Sequence, residues 1–559
     1  MNMKKSFLVL LITLFVQLLS AQIKHVSLLT AKPVQYEKVE CDIRLVETWK
    51  NPYLQEDIAL DMFITSPSGK ALTLPCYFES GESGKESVWK ARFSPQENGK
   101  YKYYFKLNKP GKPSTTSGTF SFKSVASDKN GFLHPGSYWV LKYDNGKLFR
   151  GIGENIGWES KINDANKFIK DVDENPKYNY EYMLRSLAVN GGNFFRTWMT
   201  NGNLPLDWKK ASNSNRYTPS DEYYNPSAIK KIDRLVTLCD SLDIHMMLTL
   251  GMGAYSKRDG GFAESAADFF VNPESKIRYK NRLRYIISRW GYSPSIGAWE
   301  FFNEVDNVQF SNKENPINPD TIVKWHNEMS TYVKQIDPFG HLVTTSISHR
   351  DLKGLNSLNN IDFNQKHIYR NTAAIPSTII KYENDFKKAY VIGEFAYEWD
   401  WAKDFKDFAD NMDGDFKRGL WYGLFSSTPI LPMSWWWEYF EDRGMNQYFK
   451  GVREISDQML TAGNGSFENI SVKADSLVAF SVKCGNKIFV YLYNKTKSCV
   501  KSDISINEIK NTQYKVQSFS TMKREYKDLD KPTYSLLEIG INGLSLNPED
   551  EIVLILTSY

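Results

Sequence analysis

Over residues 22–127, apolar and polar positions alternate in short runs broken by turn residues, the spacing of half-buried strands. Runs at 88–95 and 99–106 flank a turn at Asn98-Gly99, and an apolar-alternating run at 118–122 closes the region. This pattern predicts an N-terminal β-sandwich of immunoglobulin type. The texture then changes. Short apolar runs end near Glu154, Trp198, Leu250, Glu304, Ser348, Tyr369, Glu394 and Trp437. Between them lie segments of helical period at 178–189, 228–242, 276–290, 320–336, 377–388 and 405–425. Eight such runs over 128–460, with helices between most of them, predict a central (β/α)8 TIM barrel. Strand patterns return at 477–483, 487–494 and 551–557, so 461–559 is expected to form a second, smaller β-sandwich. The expected architecture is therefore multidomain, a barrel flanked by two sandwiches.

The first 21 residues carry Lys4 and Lys5, an apolar stretch from Phe7 to Leu19, and Ser20-Ala21, the pattern of a cleaved signal peptide. That stretch is too short to span a bilayer comfortably. The first cysteine is Cys41, so no lipid-anchor cysteine lies near the cleavage point, and a secreted or periplasmic protein is expected. Formal net charge is only +5, with no basic run, which argues against nucleic acid or an anionic membrane as partner. Export permits disulfides, and pairing within each sandwich would join Cys41 to Cys76 and Cys484 to Cys499, leaving Cys239. The competing reading is five small buried hydrophobes.

Two carboxylates carry the chemistry. The run Ile-Gly-Ala-Trp-Glu-Phe-Phe-Asn-Glu over 296–304 ends on Glu304, directly after Asn303. The run Ala-Tyr-Val-Ile-Gly-Glu over 389–394 ends on Glu394. An apolar strand that finishes on an ionisable residue presents it at the rim of the sheet, where barrel enzymes do chemistry. Two such glutamates are the minimum machinery for cleaving a glycosidic bond, one to protonate the leaving oxygen and one to meet the anomeric carbon. Asn303 is placed to hydrogen-bond a sugar 2-hydroxyl, and Glu154, at the end of the first strand, to bind substrate. Glu300 reads as a buried, hydrogen-bonded polar residue instead. The glycines at 151, 153 and 157 imitate a phosphate loop only weakly, because a tryptophan and no clear helix follows. No paired-histidine or Cys-x-x-Cys spacing supports a metal site, and no serine nucleophile elbow is present. Aromatic content of 14%, with 15 Trp and 32 Tyr, suits stacking on sugar faces, although large β-rich proteins share it.

At these positions the sequence resembles the clan A glycoside hydrolases, retaining β-glycosidases that include the family 5 cellulases and mannanases. The resemblance spans roughly 146–440 and implies Glu304 as acid/base and Glu394, in Gly393-Glu394-Phe395, as nucleophile. By the same resemblance Arg196, ending Asn-Phe-Phe-Arg over 193–196, braces the nucleophile, and Tyr369, in His367-Ile-Tyr369, contacts it; His367 is a candidate substrate-binding residue, with a packed core imidazole as the competing reading. The tryptophans of 433–437 would floor the sugar site. Strand alternation puts Trp435 and Trp437 on the sugar side and Trp436 among helices. The leading sandwich and 131–159 also look like the β-sandwich found ahead of many secreted polysaccharide-degrading barrels. The expectation is a secreted retaining β-glycoside hydrolase that cleaves a plant, algal or microbial polysaccharide by double displacement, with no cofactor and no metal. The rivals are a non-catalytic carbohydrate-binding protein and a surface adhesin built on the same barrel.

Overall fold

A computed structural model describes residues 22–251, 257, 261–310, 312–508, 513–535 and 537–559. The expected signal peptide lies outside the described residues.

The first strands form two antiparallel sheets. One runs in the order Gln22–Leu28, Val39–Val46, Glu86–Phe93, Tyr77–Gly81. The other runs Ala71–Pro75, Ala59–Thr65, Gly99–Asn108, Thr115–Thr116, with Phe120–Ser124 also paired to Gly99–Asn108. Alternate residues such as Ile43, Leu45, Leu60, Met62, Trp89, Tyr103 and Phe105 meet in one core between the sheets. The turn at Asn98-Gly99 carries the chain from one sheet to the other and does not close a hairpin: its flanking strands pair with different partners.

No disulfide forms, which corrects both pairings considered above; all five cysteines are free. Cys41 projects into the sandwich core, with its thiol 4.0 Å from the Tyr103 hydroxyl on the opposite sheet. Burial pushes the Cys41 thiol up to about 12. Cys484 is buried at the end of Val478–Cys484, whereas Cys499 is exposed just before the strand Val500–Asn507 of the other C-terminal sheet. Thiol titration of the denatured, unreduced protein is expected to count five; a count of one or three would contradict this arrangement.

The central unit is parallel. Gly153–Asn155, Phe194–Trp198, His245–Thr249, Ile296–Glu300 and Leu342–Thr344 pair in chain order. After one intervening residue, Ser346–Ile347 continues to Asn364–Tyr369 and Tyr390–Ala396. The eighth expected strand, ending at Trp437, is not a regular strand. Its residues still bond on both sides: Met433 N–H to Ile392 and Trp435 N–H to Phe395, against Leu431 N–H to Gly151 and Asn155 N–H to Ser434. Gly153 is required by close approach, because a Cβ there would sit 1.6 Å from the Phe194 carbonyl oxygen. That approach accounts for Gly153 without a phosphate.

Three long helices share one start signal. Pro226–Leu242, Pro273–Trp290 and Pro319–Ile336 each open on proline, and the preceding Asn225, Asn272 and Asn318 cap the first turn through their side chains. Each begins one to three residues before the periodic pattern becomes legible. Helices at Ala266–Val271, Trp437–Asp442 and Phe449–Gly463 were not anticipated.

The last strands form a six-stranded and a four-stranded antiparallel sheet. Lys487–Tyr493 shows how they dock. Ile488, Val490 and Leu492 enter the core between these sheets, while Phe489, Tyr491 and Tyr493 join the core shared with the helices. Tyr491 stacks on Trp421 at 5.9 Å. No described helix is long and apolar enough to cross a membrane.

Candidate active site

The end of the central sheet toward which the strands run opens on a cavity of about 560 Å³. Its floor is ionic. Arg196, fully buried, donates from Nε and one terminal nitrogen to both oxygens of Glu300, at 2.6 and 2.8 Å. It also reaches Glu394 Oε1 at 2.6 Å, Asn303 Oδ1 at 2.7 Å and Asn155 Oδ1 at 3.1 Å. Thr249 adds a bond to Glu300 at 2.7 Å. Glu300 is buried and hydrogen-bonded, and it is also the counter-ion of Arg196. Burial opposes its charge, but Arg196 outweighs burial and holds its carboxyl below the usual range. Arg196 is likewise raised by Glu300 and Glu394 against the cost of burial, so it stays charged.

Above this floor the two candidate carboxylates converge. The Tyr369 hydroxyl donates to Glu394 Oε2 at 2.5 Å. His367 Nδ1 lies 2.8 Å from Glu304 Oε1 and 3.3 Å from Glu394 Oε2, so the ring sits between them. One oxygen of each glutamate and this nitrogen all lie within 4.8 Å of one another. Such a trio could also hold a metal ion. Here Arg196 and Tyr369 already engage Glu394, and the ring nitrogen faces both carboxylates. Burial raises Glu394 above the ordinary carboxylate range; His367 and Arg196 pull it down, and the charge of Glu304 adds to the rise. Burial also raises Glu304, but the hydrogen bond and charge of His367 outweigh it and leave that carboxyl low. Burial and the neighbouring carboxylates keep the Tyr369 phenol well above its usual value, hence protonated and donating.

Glu304 has a left-handed backbone, with φ 49°, at the start of the short helix Val305–Gln309. Non-glycine residues rarely adopt that conformation, and it persists where surroundings enforce it, often at functional sites. Here the Ser346 hydroxyl receives the Glu304 backbone N–H at 2.9 Å.

Six candidates therefore meet at one place: Glu304, Glu394, Asn303, Arg196, His367 and Tyr369. Of these, Asn303, Glu304, Tyr369 and Glu394 line the cavity, whereas Arg196 and His367 act from behind it. Trp435 also lines the cavity. Trp437 does not, which corrects its assignment to the sugar face. Trp436 takes a left-handed φ of 71°, so alternation ends there, and Trp437 begins a helix. Its ring packs edge-on against Trp158 and Trp435, each at 5.0 Å. Glu154 is also misplaced as a substrate ligand. It is fully buried and accepts from Asn446 at 3.1 Å. Burial, reinforced by Glu441, raises its carboxyl far above the ordinary range.

Sequence reasoning missed most of the walls: Trp158, Trp198, Trp399 and Trp401, with Asn307 and His349. Trp158 and Trp401 stack at 5.8 Å. Glu398 anchors the loop that carries Trp399 and Trp401. Its carboxylate binds Arg370, Lys403 and the Trp399 and Asp400 amides, and its carbonyl accepts the Trp436 indole N–H at 2.6 Å. Against burial, Lys403 and Arg370 hold that carboxyl at about 2.

Residues 32–108 match a family model described as a domain of unknown function, DUF5060. The chain is 24% identical over 226 residues to mannan endo-1,4-β-mannosidase A of Podospora anserina, covering 35% of this chain and 56% of that protein. It is 26% identical over 251 residues to mannan endo-1,4-β-mannosidase F of Aspergillus fumigatus, covering 42% and 50%. The aligned part thus spans about half the length of these curated relatives. Among solved structures, a candidate glycoside hydrolase of Bacteroides vulgatus superposes with a TM-score of 0.67, covering 95% of this chain and 100% of that one at 14% identity. At that identity the match speaks for the fold alone. The matched relatives are glycoside hydrolases.

Proposed function

We propose that this chain is a secreted retaining β-glycoside hydrolase, with a β-1,4-mannan or a related polysaccharide as substrate. Its central strands are read as a (β/α)8 barrel over 128–460, closed through the backbone bonds of 429–435. On this reading 22–127 forms an immunoglobulin-like sandwich and 461–559 a second one. The observation that carries the catalytic assignment is the approach of Glu304 and Glu394 to within 4.8 Å between oxygens, bridged by His367. Retaining enzymes hold their carboxyl groups about 5–5.5 Å apart, and inverting ones leave about 6.5–9.5 Å for a water.

In the first step Glu394 forms a bond to the anomeric carbon as the bond to the leaving oxygen breaks, and Glu304 gives that oxygen its proton. In the second, Glu304 takes a proton from water, whose oxygen displaces Glu394. Arg196 and Tyr369 hold Glu394 as an attacking carboxylate. Asn303 has its Oδ1 engaged by Arg196, which leaves the amide nitrogen for the sugar. Among the protein groups alone the proton preference runs the other way, since burial raises Glu394 and His367 lowers Glu304. Bound sugar acts against this preference. The Glu304 side chain is 22% exposed and that of Glu394 only 4%, so filling the cavity removes water chiefly from Glu304 and raises it. Positive charge developing at the anomeric carbon at the same time favours ionised Glu394.

The test is turnover of purified protein on a panel of β-linked polysaccharides and aryl β-glycosides, with Glu394→Gln as the blank. Hydrolysis by the wild type alone is expected, with mannans among the substrates. Binding without turnover on every member would overturn the assignment in favour of a carbohydrate-binding protein.

A further inference from the structure

We propose that Asn307 is a positioning residue that aims the Glu304 carboxyl, with Arg350 setting which way its amide faces; this rests on Glu304 being the acid. The helix Val305–Gln309 turns back immediately after Glu304 and meets the loop that follows Ser346–Ile347. Asp306, fully buried, ties the two together by accepting the backbone N–H groups of Ser348, His349 and Arg350 at 2.7, 2.9 and 3.0 Å. Asn307 is thereby held between Glu304 and Arg350. Its Nδ2 lies 2.8 Å from Glu304 Oε2 and 3.3 Å from the Ser348 hydroxyl. Arg350 donates to its Oδ1 at 3.2 Å, and the same guanidinium stacks 4.2 Å over Phe310. A guanidinium can only donate and a carboxylate can only accept, so only one amide orientation satisfies both neighbours. With His367 on Oε1, each oxygen of Glu304 is then held by its own donor.

The consequence is a defined aim and a defined pH range. The charged and titratable groups around Glu304 are His367 and Tyr369 on one strand and Glu394 on the next. Arg196 lies below, His349 and Arg350 are on the loop, and Asp306 is on its own helix. Among these Asn307 supplies a neutral donor at the oxygen that His367 does not reach. Donation to a carboxylate favours the ionised form. Asn307 therefore lowers the pH at which the acid is lost, to a smaller degree than His367 does, and keeps the carboxyl directed at the leaving oxygen.

The experiment compares wild type, Asn307→Leu and Asn307→Asp for kcat and kcat/KM against pH, on a substrate with a poor leaving group and on a dinitrophenyl glycoside, with thermal melts alongside. The alkaline limb is read from kcat on the poor leaving group, which titrates the acid in the sugar-bound enzyme. For Asn307→Leu the alkaline limb should move up by roughly half to one pH unit. Asn307→Asp should move it further, because a second carboxylate then faces Glu304. At the plateau the poor leaving group should lose about tenfold and the activated one little, because only the former needs the proton. Asn307 is exposed, so the melting temperature should hold. Limbs that stay at the wild-type position, or equal losses on both substrates with a lowered melting temperature, would overturn the proposal. Glu304→Ala measured on the same two substrates separates the failures. If that variant shows no dependence on the leaving group, Glu304 is not the acid and both ideas fall. If it shows the dependence while both Asn307 variants keep the wild-type limb, only the role of Asn307 falls.

Discussion

Glu394→Ala should lose turnover on every substrate by a factor on the order of 10⁴ or more, because the variant has no group to form the glycosyl–enzyme bond. The loss should not depend on the leaving group, since attack at carbon is required whatever departs. Truncation leaves a small cavity beside Arg196 and Tyr369, which bind Glu394 at 2.6 and 2.5 Å. Azide fits such a space and meets the cation that Glu394 met. Azide should therefore restore turnover of activated glycosides and yield the α-glycosyl azide, inverted relative to the β-substrate. Stability should hold or rise. Burial already works against this carboxylate, and Arg196 keeps its two-point pairing with Glu300 when Glu394 is gone. Chiral analysis of the azide product and a melting curve check both parts. A retained azide product, or activity within about tenfold of wild type, would remove Glu394 from the nucleophile role.

Glu304→Ala should behave differently, and the difference is the content of the role assignment. A dinitrophenolate leaves without a proton, so glycosylation on that substrate should proceed near the wild-type rate. On an oligosaccharide the leaving alkoxide needs the acid, and kcat/KM should fall by roughly 10²–10⁴-fold. The second step also slows, because no base activates water. KM should drop on the activated substrate as the covalent intermediate accumulates. Azide, which needs no base, should relieve that slow step and give the β-azide with retained configuration. Both effects follow from Glu304 standing at the cavity, bonded to His367, while Glu394 is held from behind by Arg196. Equal losses on all leaving groups in both variants would mean the roles are wrongly divided.

Much of this site is legible in the sequence. Asn303-Glu304, Gly393-Glu394, Arg196 and His367-Ile-Tyr369 all lie in, or just beyond, the later part of apolar runs, a region that local periodicity can locate. Their convergence follows once parallel strands stack in chain order. Side chains placed by irregular backbone were not legible. Trp437 looked like a neighbour of Trp435 because alternation was assumed through Trp436, whose left-handed φ of 71° breaks it. Trp158, Trp399 and Trp401 reach the cavity from loops, and what aims the last two is a long-range anchor, Glu398 to Arg370, Lys403 and Trp436. Glu154 lies in a strand like the others yet does not line the cavity; it is buried, and the side chain that bonds one of its oxygens is Asn446, 292 residues further on. The cysteine pairings failed for a similar reason. Sharing a sandwich does not bring two thiols to bonding distance, and Cys41 has the Tyr103 hydroxyl as its neighbour. The Asn-Pro pairs at 225–226, 272–273 and 318–319 are a signal that was present in the sequence and would have placed three helix starts correctly.

Double displacement at Glu394 is tested most directly by trapping the intermediate. The protein is incubated with a 2-deoxy-2-fluoro dinitrophenyl β-glycoside of the sugar it hydrolyses, then digested and analysed by mass spectrometry. The fluorine slows both steps by destabilising the cationic transition state, while the good leaving group keeps formation faster than breakdown. One fluoroglycosyl residue should be found on the peptide carrying Glu394, with activity lost in proportion to labelling. A label on another residue, or continued turnover with no adduct and a product of inverted configuration, would contradict the mechanism.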